Sequence, residues 1–267
     1  MSGRLLLQTL RWQRLRLIVV ILAGLGWGLL IPVFYSAFSD VMRDLINSGV
    51  VPRELMNFGS GSLFTLPGAI TLGFQHPLAI AMVATFAVGS GATAVAGERA
   101  RGTLEVLLAR PISRRTLYLS ILVALLIAVL LVLSAILGGM VAGAAIQGLL
   151  DDLDVSQLPL VLLNGFGLWA AFTTFALAMS ITFDRPGPAI GLSLAYLVIN
   201  YFLEILGSLW ADAAWTQDYS LFHHFDPGAI LAGEGILLDL VIVFGAAIVP
   251  VFYALMVFPR RDLAAPA

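Results

Sequence analysis

The stretch LYLSILVALLIAVLLVLSAILGGMVAGAA, Leu117 to Ala145, carries no charged residue in 29 positions. Arg114 and Arg115 precede it, and Asp151, Asp152 and Asp154 follow it. At about 1.5 Å of rise per residue, a helix of this length reaches about 44 Å, more than the roughly 30 Å hydrocarbon layer of a bilayer. It reads as a transmembrane helix that tilts or projects from the membrane. Its basic start and acidic end also suggest which side each end faces.

The whole chain has the same character. Hydrophobic residues make up 60% of the 267 positions, charged residues 11%, and mean hydropathy is +0.99. Soluble domains carry about 25% charge, so lipid must take the place of a water-soluble core. Five more stretches are long and apolar enough to span: Leu17 to Phe38, Leu78 to Ala96, Leu160 to Phe183, Ala189 to Trp210 and Ile236 to Phe258. None contains an arginine. The first exceeds a signal-peptide core and lacks an A-x-A cleavage site, which favours an uncleaved helix. Leu63 to Phe74 is apolar but interrupted by Pro67 and Gly68 and followed by His76-Pro77. It is expected to be an interfacial or re-entrant piece rather than a seventh span.

Arginine placement sets the expected topology. Arg4, Arg11, Arg14 and Arg16 precede the first span. Arg99, Arg101, Arg110, Arg114 and Arg115 lie between the second and third spans. Arg185 follows the fourth span, and Arg260 and Arg261 follow the sixth, leaving only Arg43 and Arg53 on the other side. The positive-inside rule puts the larger group in the cytoplasm. The expected fold is an all-α polytopic membrane protein with six transmembrane helices, both termini inside, over a single permease domain, residues 1–267.

All 14 basic residues are arginines and there is no cysteine. Disulfides and Cys-ligated metals are excluded. A Walker A phosphate loop needs a lysine, so this polypeptide is no P-loop ATPase. No H-E-x-x-H or G-x-S-x-G motif is present, and no catalytic constellation emerges.

The loop of residues 97–115, GERARGTLEVLLARPISRR, is the richest in chemistry. Leu104, Leu107 and Leu108 share one helical side, while Glu98, Arg101 and Glu105 share the other at ion-pair spacing. Pro111 ends the helix, and Ser113 is placed to cap the third span. An amphipathic, arginine-rich segment can also lie on anionic headgroups.

That run resembles the coupling-helix signature of type-2 ATP-binding-cassette (ABC) permeases, and the likeness extends to the basic N-terminal arm (residues 1–16), the six-span order and the segment Tyr219 to Pro227. The resemblance implies a homodimer or heterodimer of permeases in the plasma (inner) membrane of a prokaryote, working with two cytoplasmic ABC ATPase subunits. Those subunits bind ATP and Mg, so this chain holds no cofactor of its own. On the same ground the coupling positions are Glu98, Arg101, Gly102, Thr103, Leu104, Glu105, Leu108, Pro111, Ser113 and Arg114. Leu104 and Leu108 would fill a groove on the ATPase, and Glu98 and Glu105 would face its arginines or backbone amides. The resemblance favours export and names no cargo.

Small residues at four-residue spacing, which let helices approach closely, occur at Gly24 and Gly28, at Gly139 and Gly143, and at Gly187, Gly191 and Ala195. By resemblance, Gly24, Gly28, Gly191 and Ala195 belong to the dimer interface or substrate path. Asn200 and Glu204 share a face of the fifth span with Tyr196. They either line a path exit or leave Glu204 snorkelling to headgroups. His223, His224 and Asp226 lack metal-ligand spacing and suit an outer loop, residues 211–235, closing over the spans. Other readings are a permease-like component of a periplasmic maturation system, a secondary transporter without an ATPase, and an intramembrane metalloprotease. Nothing suggests nucleic-acid binding.

Overall fold

A computed structural model describes residues 3–48, 57–58, 61–62, 65–104 and 112–261 of the chain. It is helical throughout, except for a two-residue antiparallel ladder pairing Asn57 with Ser62 and Phe58 with Gly61. The arm forms α1 (Gly3–Trp12), which runs through a one-residue break into α2 (Arg14–Asn47). Then come α3 (Leu66–Gln75), α4 (Pro77–Thr93), α5 (Ala96–Ala100), α6 (Arg114–Ile146), α7 (Leu158–Thr182) and α8 (Pro186–Leu209). Two 3-10 turns, Ala211–Tyr219 and Leu221–His224, lead to α9 (Pro227–Leu231) and α10 (Leu237–Arg260).

Among the described residues five helices are long and apolar enough to cross a membrane, and six if the pair α3 and α4 counts as one broken span. The expected second span, Leu78 to Ala96, corresponds to α4, and the segment expected to be interfacial or re-entrant, Leu63 to Phe74, contributes α3; together they form a broken span or a re-entrant loop. The two helices meet at a 49° bend, and α3 is buried along most of its length. The cause is local. Pro77 has no N–H to give the carbonyl four residues back, and His76 before it is extended at φ −66°, ψ 138°. The abandoned carbonyl of Gly73 instead accepts from Trp27 Nε1 at 2.8 Å. The next exposed carbonyl, Gln75, accepts from the Tyr201 hydroxyl at 3.0 Å.

Two helix pairs make the frame. α2 lies along α6, and α7 lies along α10. The first seam is built of glycine. A Cβ added at Gly28 or Gly139 would fall under 3.0 Å from a backbone oxygen, of Ile136 and Leu25 respectively. Gly143 sits against Leu29 and Pro32, and Gly24 against Ile136. The GxxxG pairs Gly24/Gly28 and Gly139/Gly143 therefore pack against one another's helices, so the close approach of Gly24 and Gly28 is made within the chain. α7 is enclosed on most faces, with Trp169 and Phe172 in its core, whereas α2, α8 and α10 present large apolar side chains outward, such as Leu22, Phe202 and Phe252. Lipid or other membrane helices suit such faces.

A matched pair of substitutions tests the seam. Gly28→Ala is expected to cost about 1–3 kcal/mol, as overpacking does in closed interiors. Gly26→Ala, with nothing within 4 Å of the added carbon, should stay within about 0.5 kcal/mol. Thermal unfolding of the two variants in detergent compares them directly.

Candidate functional site

The loop between α4 and α6 begins with a polar handover. After α4 the backbone leaves helical hydrogen bonding, and the buried Ser180 hydroxyl of α7 accepts from Val95 N at 2.9 Å and Ala96 N at 3.0 Å. α5 then closes with a left-handed residue, Gly102 at φ +69°. Gly102 N donates to Arg99 O and Thr103 N to Glu98 O, both at 3.0 Å, the paired bonds that end a helix through a glycine. The Glu98 carboxylate closes the same turn. It takes donors from the Arg101 guanidinium and, at 2.5 Å, from Thr103 Oγ1. The predicted spacing of Glu98 and Arg101 is thus used, but inside the chain. Glu98, Arg101, Gly102 and Thr103 build one self-satisfied turn.

Leu104 points inward. It is 3% exposed and belongs to a core cluster with Leu5, Val95, Leu117 and Tyr118. The expectation that it fills a partner's groove is corrected by this placement, because the groove it fills belongs to its own chain. Glu105, Leu108 and Pro111 lie outside the described residues. Beyond them Ser113 caps α6, its hydroxyl accepting from Thr116 N at 3.1 Å. Arg114 reaches across to the end of α10 and donates to the carbonyls of Arg261 at 2.6 Å, Phe258 at 3.3 Å and Pro259 at 3.4 Å. These carbonyls have no helical donor, and a cation is favoured at that end of the dipole.

Two neighbours of this loop, Asp184 and Arg261, carry no signal in the sequence beyond their charge. Arg99 pairs with Asp184 at 2.7 Å, and Arg261 pairs with the same carboxylate oxygen. Arg261 also donates to the carbonyls of Ile181 and, at 3.4 Å, Phe183. The partners are separated by 77 residues or more in several of these contacts, so no local pattern announces them.

The arm packs over the loop. Leu5 is buried with Leu104, and a cavity of about 230 Å³ opens between α1, α4 and α6, lined among others by Gln13, Arg16, Ser90 and Glu98. Arg16 sits where α4 widens into a π-helical turn, Thr85–Ser90. It donates to Thr85 O at 2.5 Å and Ser90 Oγ at 3.2 Å, with its guanidinium 5.1 Å from the Phe86 ring centre.

At the opposite end of the molecule, the segment after α8 folds back onto that helix. Asn200 holds it from both sides, its side-chain oxygen accepting from Leu221 N at 2.9 Å and its carbonyl from Ser220 Oγ at 2.8 Å. Glu204 is only 6% exposed, so it does not snorkel to the surface. Gln217 Nε2 donates to one of its oxygens at 2.9 Å, and His223 Nδ1 lies 3.8 Å from the other. His224 Nδ1 meets Asp239 at 2.9 Å, and Phe222 is packed among Trp169, Phe172 and Tyr201. The predicted polar face of the fifth span is therefore covered by residues 211–224. Gly191 and Ala195 lie on the exposed face of α8, with nothing within 4 Å of a Cβ at Gly191.

The family model of the ABC-2 family transporter proteins matches residues 6–263. The chain belongs to the ABC-2 family. No curated protein matches it.

Membership makes this chain the membrane-embedded permease component of an ABC transporter, a class that works with a separate ATPase subunit. In this ABC-2 chain the cap carries a titratable contact between His223 and Glu204. The Glu204 carboxylate, followed by Asp218 and Asp239, holds the His223 imidazolium and raises its pKa above 6.5, against a smaller opposing effect of burial. The folded value is raised, so the contact contributes fully below pH 6.5 and is lost as pH climbs through the higher folded value. Hydrogen exchange in residues 211–224 should speed up across that window, and His223→Gln should flatten the profile.

Proposed function

We propose that this ABC-2 chain is the permease subunit of an ATP-driven exporter, forming the translocation path while a partner hydrolyses ATP with Mg. The observation that carries the reading is the family match over residues 6–263. The lysine-free sequence agrees with it, since nucleotide chemistry must then come from another chain. Counting the bent pair α3 and α4 as one span gives six spans. With twelve arginines at one end, both termini lie in the cytoplasm of a prokaryotic cell. Two permeases, alike or different, then assemble with two ATPase subunits. The exposed small-residue face of α8 at Gly191 and Ala195 is a surface suited to the second permease.

The loop is read here as having two roles. Glu98, Arg101, Gly102 and Thr103 shape the turn, and Leu104 anchors it. Glu105, Leu108 and Pro111 remain to meet the ATPase, with Ser113 and Arg114 fixing the return into α6. The full chain co-purified with its ATPase tests this. Glu105→Arg combined with Leu108→Asp is expected to lower recovery of the complex at least tenfold, with membrane insertion normal. Retention of tight association would overturn the assignment.

Topology has its own measurement. Reporter fusions after Ala267 and within the first loop, between Asp40 and Ser62, are expected on opposite sides of the membrane. A C-terminus on the outer side would refute the proposed orientation with both termini in the cytoplasm.

A further inference from the structure

Both ends of the loop at residues 97–115 stand on the same support, although the chain enters from one span and leaves through another. The first end is held twice by α7 and the residues just beyond it. Ser180 accepts the backbone N–H groups of Val95 and Ala96 at 2.9 and 3.0 Å, and Asp184 pairs with Arg99 at 2.7 Å. The second end is held by α10, whose last carbonyls take the Arg114 guanidinium. α7 and α10 are themselves joined at this end, where Arg261 donates to the carbonyls of Ile181 and Phe183 and pairs with Asp184. We propose that Asp184 is a positioning residue: its carboxylate clasps Arg99 of the loop to Arg261 of the last helix, so that the loop and the α7–α10 pair move as one body. The proposal rests on the permease reading, because it says where a push on that loop is delivered.

The electrostatics make Asp184 the weak point of this body. Its side chain is 56% exposed, but the two guanidinium groups it joins are enclosed, at 10% for Arg99 and 19% for Arg261. An exposed ion pair by itself contributes little. Here one oxygen atom is the shared counter-charge of two largely buried cations, and removing it takes that counter-charge from both at once. Ser180 and Arg114 would still hold their own contacts. The loop's first end would therefore loosen at Arg99 while the helices themselves stay folded.

The chain has no cysteine, so two labels can be placed without background changes. Ala100 and Arg260 are both exposed, and Ala100→Cys with Arg260→Cys puts one spin label on each side of the clasp. In the full chain in lipid nanodiscs with its ATPase bound, a narrow distance distribution is expected that is the same without nucleotide and with ATP trapped. Asp184→Asn should broaden it and reduce permease-dependent stimulation of ATP hydrolysis about tenfold, with ATPase association unchanged. Asp184→Glu should restore both, which also controls for misfolding. A distance that shifts on ATP trapping in the parent chain, an Asp184→Asn variant that keeps the narrow distribution, or broadening with full stimulation each overturns the positioning role. If no ATPase binds the parent chain, the exporter reading fails, and the label distances still decide whether Asp184 holds the loop to α10.

Discussion

Inside a bilayer no water stands ready to pair with an interrupted backbone, so each break in a helix must be repaired by the protein itself. This constraint organises the molecule. The proline break in the second span strands the Gly73 and Gln75 carbonyls, and Trp27 and Tyr201 satisfy them from two other helices. The break after α4 exposes the Val95 and Ala96 N–H groups, and Ser180 takes both. Where the cap turns back, Asn200 supplies an acceptor to Leu221, and the Gln75 side chain donates to Phe225 O at 3.1 Å. Each repair group lies on a different element from the break it serves. Irregular backbone is thereby converted into tertiary attachment, and the broken segments become the places where helices are most firmly tied.

The same reasoning separates the molecule into a seam and a clasp. The α2–α6 seam depends on shape: four glycines let two backbones approach until no Cβ would fit at Gly28 or Gly139. In hydrocarbon such packing substitutes for the hydrophobic drive that is missing between helices. The α7–α10 pair is joined at its arginine-rich end by charge and by helix-end carbonyls. The first seam is non-polar along its length, and the second adds a polar clasp at one end to apolar contacts such as Gly167 with Val243 and Phe244. The loop of residues 97–115 connects the two kinds of attachment, since it enters from the bent span and exits into the seam helix α6 while resting on the clasp.

Much of this was legible from residue type and order. Long uncharged runs announced the spans because lipid tolerates little else, and arginine counting distinguished the two ends. Ser113 as a cap and Glu98 with Arg101 as a pair were readable because both act over three residues. The bend at His76-Pro77 was marked by its residues, but whether the flanking segment lay at the interface or continued a span depended on what received its carbonyls. The burial of Leu104 was not readable either. A leucine on an amphipathic stripe looks the same whether its groove lies in a partner or under the chain's own arm.

The sequence by itself determined that this is an all-helical membrane chain, that its basic loop falls between the second and third apolar stretches, and that it has no lysine with which to build a Walker A loop. These follow from composition and spacing, which act locally. Only the tertiary structure decided that Gly24 and Gly28 face Gly139 and Gly143, that Glu204 is sheltered under the cap, and that Arg99 and Arg261 share Asp184. Each is a pairing between residues far apart in the chain. Its energy comes from geometry that one sequence does not state: how closely two backbones approach, and which buried charge finds its counter-charge.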